Sequence, residues 1–155
     1  MTSNAQGLLF DSNVWVALTF PTHGFHLTAT SVLENCVKTS AALFCRSTQQ
    51  SFLRLITTAT LARTYGSATI DNRQAIQILT DLHQLPYVGF ENEPPDTNDL
   101  WLKLADRNTA SPKLWMDAYL AAFAISGQLC FVTADKDFRQ FQACGLDLHL
   151  LKSEI

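Results

Sequence analysis

No apolar run in this sequence approaches the roughly 20 residues that a bilayer span requires. The longest, Leu114 to Ile125, is interrupted by Asp117 and therefore reads as a core helix. The first eight residues, Met1 to Leu8, carry no charged n-region and are too short for a signal peptide. The four cysteines, Cys36, Cys45, Cys130 and Cys144, have no C-x-x-C spacing and sit among apolar neighbours, as buried free thiols do. These absences predict a cytoplasmic, reduced protein without membrane association. His23, His26, His83 and His149 are scattered without a second ligand-rich motif, which leaves nothing to suggest structural zinc. A Gly-rich phosphate loop and a Ser-His-Asp pattern are also missing. Positive charge is scarce: 11 Lys and Arg against 14 Asp and Glu give a net charge of −3. That balance argues against a general nucleic-acid coating protein but not against a nuclease. An enzyme whose site concentrates carboxylates draws phosphate in through bound metal and a few local Arg or Lys residues.

What the sequence does have is 47% apolar residues spread over 155 positions, enough for one sizeable core and short for two. Residues 1–155 are expected to form a single domain, with no repeat and no linker. Gly7 to Asp11 reads as a short buried strand, and S-N-V-W-V-A-L-T-F as a helix begun by Asp11, Ser12 or Asn13 and closed by Pro21. Leu27, Val32, Leu33, Cys36 and Val37 predict a helix over His26 to Thr39, followed by a strand over Ala41 to Cys45. A helix is expected over Thr48 to Ala62, weakened at its end by Thr57, Thr58 and Thr60. Another over Asn72 to Leu85 places Ala75, Ile76, Leu79, Leu82 and His83 on one face and stops at Pro86. Tyr87 to Phe90 is a short strand, Glu91 to Asn98 a loop and Asp99 to Arg107 a helix. Pro112 suits the first turn of a largely buried helix ended by Gly127. Leu129 to Thr133 is a central strand, Asp135 to Cys144 a short helix, and Leu146 to Leu151 a last strand. Strands alternating with helices imply an α/β fold, a mostly parallel sheet covered on both faces.

Three carboxylates interrupt or end apolar segments. Asp11 follows Leu8, Leu9 and Phe10, so it stands at the carboxyl end of the first strand, where open α/β sheets hold ligands; plain helix capping is the other reading. Asp117 lies inside L-W-M-D-A-Y-L-A-A-F-A-I, where a buried ionised carboxylate is costly unless paired or metal-bound. Its alternatives are a first-turn charge favoured by the helix dipole, or a partly exposed face. Asp135 and Asp137 follow the strand in F-V-T-A-D-K-D-F, and either can instead cap the next helix; Thr133 presents a hydroxyl beside them or satisfies a strand end. Converging carboxylates raise one another's pKa values, and a hard divalent cation relieves the repulsion. Mg²⁺ or Mn²⁺ is therefore implied, in a role that activates water and neutralises charge on a phosphate.

The arrangement resembles the PIN-domain ribonucleases, in particular the toxin subunits of VapBC-type toxin–antitoxin pairs. L-L-F-D-S-N-V-W-V-A-L is similar to the family's opening strand and first acidic residue, W-M-D-A-Y-L-A-A-F-A to its central helix, and L-C-F-V-T-A-D-K-D-F to its closing signature. The resemblance implies a three-layer α/β/α sandwich. It also implies Asp11, Asp117 and Asp135 as metal ligands, Asp137 as an auxiliary one, and Asn13 and Thr133 as supporting polar residues. In T-Q-Q-S-F-L-R-L the position matching the family's usual glutamate is Gln49, an amide that can offer a neutral oxygen but cannot act as a base. It reads otherwise as a capping-turn or surface residue.

Arg54 is expected to reach substrate phosphate, to pair with a site carboxylate, or to be an ordinary surface ion-pair partner. Trp15, Trp101, Trp115 and Phe20 are read as core before base-stacking residues. The segment Pro21 to Phe25, with His23, can cover the site or bind a partner by family analogy alone. The leading expectation is a metal-dependent endoribonuclease that cuts RNA. By resemblance it is a toxin, silenced by a cognate small antitoxin protein and forming a homodimer. The rivals are a PIN fold weakened by Gln49 that only binds RNA or antitoxin, and a phosphatase or receiver-like domain, the last wanting a Lys on a late strand.

Overall fold

A computed structural model describes residues 6–39 and 41–153, with the side chains of 37–39 excluded, so that the helical placement of Val37's side chain lies outside the described residues. Among the described residues five short strands, β1 (Leu8–Phe10), β2 (Ala42–Phe44), β3 (Val88–Phe90), β4 (Cys130–Thr133) and β5 (Asp147–Leu150), form one sheet in the order β3-β2-β1-β4-β5. Every pairing is parallel. The helices between them are α1 (Ser12–Thr19), α2 (His26–Thr39), α3 (Arg46–Ile56), α4 (Ala59–Thr64), α5 (Asn72–Gln84), α6 (Thr97–Ala105) and α7 (Leu114–Ser126). A 3-10 helix, Lys136–Cys144, joins β4 to β5.

The period-two alternation of the strands divides the core into two layers. Phe10, Ala42, Phe44 and Val132 face one cluster with Val14, Trp15, Phe52 and Ile56 from α1 and α3. Leu9, Leu43 and Phe131 face the other, with Ala118, Ala121, Phe123 and Phe138 from α7 and the 3-10 helix. The fold is therefore the expected α/β/α sandwich, with a sheet parallel throughout. Among the described residues no helix is long and apolar enough to cross a membrane.

Strand order decides where a ligand can sit. From β1 the chain moves outward through β2 and β3, then returns to place β4 on the other side of β1. Connections after β1 and β4 leave in opposite directions, and the crevice between two such carboxyl ends is where open sheets bind ligands. Phe10 pairs with Val132, so the residues following β1 and β4 emerge side by side.

Several expectations are corrected. The helix expected over Thr48 to Ala62 is two: the Thr58 hydroxyl takes the Arg54 carbonyl at 2.9 Å, the partner its own amide would have used, and the chain turns before α4. Ile76 is 60% exposed and does not share the core face of α5. The N-terminal turn of α7 is less buried than its composition suggested, with Trp115 and Met116 exposed. Cys144 is an exposed free thiol, whereas Cys36, Cys45 and Cys130 are buried. Trp15 and Phe20 are core, and Trp101 donates its indole N–H to the Trp115 carbonyl.

Trp15 is the largest fully buried side chain, stacked on Phe44 with ring centroids 3.9 Å apart, and its indole nitrogen has no hydrogen-bond partner. Trp15→Ala is expected to cost about 3–5 kcal/mol in urea unfolding. Trp15→Phe should cost clearly less, because it keeps an aromatic face and removes an unpaired donor; equal losses would mean that stacking contributes little.

A candidate metal centre at the carboxyl edge of the sheet

Asp11 ends β1 and caps α1: its Oδ1 accepts from the Ser12 amide at 2.8 Å. Capping and a place at the sheet edge are thus one arrangement rather than alternatives. Its Oδ2 accepts from the Thr133 hydroxyl at 2.7 Å and from the Asn13 amide nitrogen at 3.3 Å. Thr133, fully buried at the end of β4, accepts in turn from the Asp135 backbone amide at 3.0 Å and from Asn13 Nδ2 at 3.2 Å. Asn13 Oδ1 accepts from the Ala134 amide at 3.2 Å. Asn13 and Thr133 therefore stitch the two strand ends together around one carboxylate, the supporting part expected of them.

Asp135 caps the 3-10 helix through an Oδ1 that accepts from the Asp137 amide at 2.9 Å, and its Oδ2 lies on the side shared with Asp117 of α7. Between them stands a residue that sequence reasoning missed. Lys113 Nζ donates at 2.9 Å to Oδ2 of Asp117, of Asp135 and of Asp137 alike. No two of these oxygens can then be farther apart than twice that distance. The ion pairs among the described residues all run from Lys113. Its trace in the sequence is its place four residues before Asp117, one turn away on a helix.

The energetics of the four carboxylates differ. Asp11, 7% exposed, is pushed up to about 6 by burial, opposed by the bonds from Thr133 and Ser12 and reinforced by the charges of Asp117 and Asp135. Asp117, with 15% of its side chain exposed, is raised by partial burial and held down by Lys113. Of the readings open for Asp117, the first-turn carboxylate of a partly exposed face is the one found, and Asp11 is the buried one. Lys113 is held well above the ordinary lysine range by its three partners.

Among the described residues no three His, Cys, Asp or Glu side chains are grouped as a ready-made metal cage. The donor chemistry nevertheless suits a hard cation: three carboxylate oxygens already converge on one positive atom, and a fourth carboxylate is coupled to two of them. Asp11, Asp117 and Asp135 would hold Mg²⁺ or Mn²⁺, with Asp137 at the exposed margin.

Gln49, buried in the first turn of α3, has both ends of its side-chain amide engaged by residues other than the aspartates. Its Oε1 accepts from Arg46 Nη1 at 2.6 Å, and its amide nitrogen lies 3.0 Å from His83 Nε2. The Arg46 guanidinium lies over the Phe90 ring at 4.8 Å. Arg54 is not brought to the carboxylates either; it lines a groove with Leu53, Thr57, Asn72, Ala75 and Ile76.

A family model described as the PIN domain matches residues 8–143. Ribonuclease VapC41 of Mycobacterium tuberculosis is 39% identical over 147 residues, which span 93% of this chain and 98% of that protein. Among solved structures, VapBC2 from Rickettsia felis, bound to a promoter DNA fragment, aligns with a TM-score of 0.61 at 12% identity over 94% of this chain and 98% of the other. VapC20 of M. tuberculosis, described as a Sarcin-Ricin loop cleaving toxin, aligns at 0.58 and 19% identity over 90% and 96%.

Two outcomes follow from the geometry. Asp11 binds its proton more tightly folded, near 6, than its ordinary 3.8. The native chain then holds more protons than the unfolded one across that interval, and the Asp11 contribution to stability falls as pH rises through it. In chelator, the stability of Asp11→Asn relative to wild type should improve by about 1–3 kcal/mol between pH 4 and pH 8. A difference independent of pH in urea unfolding would contradict this. Gln49→Glu would set a carboxylate against Arg46 and His83. His83, now lowered by partial burial, should rise by about one unit or more. An NMR titration of its ring checks this, and an unmoved His83 would show that residue 49 has left it.

Proposed function

The chain belongs to the PIN-domain family, and we propose that it is a metal-dependent endoribonuclease, the toxin of a type II toxin–antitoxin pair. The observation that carries this reading is the convergence of Asp117, Asp135 and Asp137 on a single cationic atom beside the buried Asp11. The ribonuclease assignment is supported by the near full-length relative at 39% identity. Residues 1–155 are taken as one PIN-like domain, in agreement with the extent of the family match.

In this mechanism Asp11, Asp117 and Asp135 would hold Mg²⁺ or Mn²⁺, which would supply activation of a water and neutralisation of charge on the scissile phosphate. The protein's own part is positional. Thr133 and Asn13 fix the rotamer of Asp11 by occupying Oδ2, and the Ser12 amide fixes Oδ1, so its lone pairs face a set direction. The Asp137 amide does the same for Asp135. Burial of Asp11 disfavours its isolated charge, so a cation at the mouth is stabilised by the same desolvation that strains the carboxylate. The substrate is RNA, the regulating partner is a cognate small antitoxin protein, and the active form is a homodimer in the cytoplasm. The VapBC composition of a structural neighbour and the buried thiols Cys36, Cys45 and Cys130 support the partner and the compartment.

A second reading is favoured by Gln49, whose amide is engaged by Arg46 and His83. A site one carboxylate poorer than the family's would bind RNA or antitoxin with weakened turnover. One assay separates the two. Wild type should cleave RNA with Mg²⁺ or Mn²⁺ and stop in EDTA, while Asp11→Asn, Asp117→Asn and Asp135→Asn should each lose at least ~100-fold in kcat/KM. Undiminished cleavage by all three would sink the metal centre; binding without turnover by folded wild type would favour the second reading.

A further inference from the structure

Three carboxylates of the centre share one partner, and that partner is a side chain of the same protein. Lys113 stands immediately before α7, where its side chain caps nothing, and the described contacts of Nζ are with Asp117, Asp135 and Asp137. The side chain is 61% exposed, so it can leave this position into solvent without unpacking the core. Asp11 takes no part, since its oxygens are engaged by Ser12, Asn13 and Thr133. One carboxylate is thus held by neutral donors and three by a movable ammonium.

We propose that Lys113 is an internal counter-ion that competes with the divalent cation for Asp117, Asp135 and Asp137, and that metal binding displaces its ammonium from the cluster. The inference rests on the metal-centre reading of the preceding subsection. Its physical basis is that the same Oδ2 atoms cannot donate their best lone pairs to both cations at hydrogen-bond and coordination distance. The docked ammonium keeps the carboxylates from repelling one another, which preserves the geometry of the centre. It also lowers apparent metal affinity, because a competent site is one from which Lys113 has already withdrawn. Lys113 is on this account a positioning residue whose removal should tighten metal binding, the reverse of what removing a ligand does.

Isothermal titration with Mn²⁺, paired with thermal melts in EDTA and in saturating Mn²⁺, tests this on wild type, Lys113→Met, Lys113→Arg, Lys136→Met and Asp135→Asn. Lys136 is an exposed lysine between Asp135 and Asp137 in sequence, without a described contact to the cluster, and it controls for a simple change of local charge. Lys113→Met should bind Mn²⁺ at least about tenfold tighter than wild type, and Lys136→Met within about threefold of it. In EDTA Lys113→Met should melt below wild type, and the gap should close in saturating Mn²⁺, where Lys113 no longer holds the carboxylates. Lys113→Arg, which keeps a donor cation, should stay near wild type in both respects. Binding by Lys113→Met no tighter than by Lys136→Met, or a melting gap that persists in Mn²⁺, overturns the role of Lys113. Equal Mn²⁺ binding by wild type and Asp135→Asn, or none by either, removes the metal centre itself.

Discussion

Four carboxylates crowd the mouth between two adjacent parallel strands, and their mutual repulsion is the constraint around which the neighbouring structure is arranged. Like charges at this range cannot stay ionised without compensation. The chain compensates in two ways. Asp11, at the floor, is surrounded by neutral donors from Ser12, Asn13 and Thr133, which lower the cost of its charge without removing it. Asp117, Asp135 and Asp137, at the rim, share the ammonium of Lys113. The floor is rigid because its donors belong to strand ends and a helix start; the rim can be rearranged because its donor is one long side chain.

Thr133 carries much of that rigidity. It is fully buried, it donates to Asp11, and it accepts from the Asp135 backbone amide, so a single hydroxyl ties the end of β1 to the turn after β4. Asn13 repeats the link through its two amide atoms. Together they convert strand pairing, in which Phe10 lies opposite Val132, into a fixed relation between two carboxylates 124 positions apart in the sequence. Removal of a hydroxyl there would leave a buried acceptor short of a partner, a larger loss than that of one exposed hydrogen bond.

Gln49 illustrates how a buried amide is satisfied away from the aspartates. A neutral side chain at this place engages a guanidinium on one side and an imidazole on the other, and Arg46 is further held over Phe90. The amide of Gln49 is thereby engaged within its own corner of the fold, and the carboxylate cluster is made by the aspartates that follow β1 and β4 and open α7. The family match over residues 8–143 includes this helix, so Gln49 stands within the shared fold.

The alternation of short apolar strands with amphipathic segments was enough, by itself, to determine an α/β fold with a mostly parallel sheet covered on both faces, because period-two and period-3.6 burial patterns leave few other arrangements; the three-layer sandwich was what the family resemblance implied. The positions of Asp11, Asp135 and Asp137 after strands were equally legible, since a strand end is a local property. Burial was not. Asp117 lies in the most apolar segment yet belongs to a partly exposed first turn, and Asp11, read as a strand-end carboxylate or a cap, is nearly sealed, because exposure depends on what packs opposite. Nor could the sequence reveal that Lys113 joins Asp135 and Asp137, 22 and 24 residues away, since only the return of the chain to set β4 beside β1 brings α7 and the 3-10 helix to the same mouth. Composition and periodicity determined the layers and the candidate carboxylates; strand order, a long-range outcome of tertiary packing, decided which charges meet and which cation stands among them.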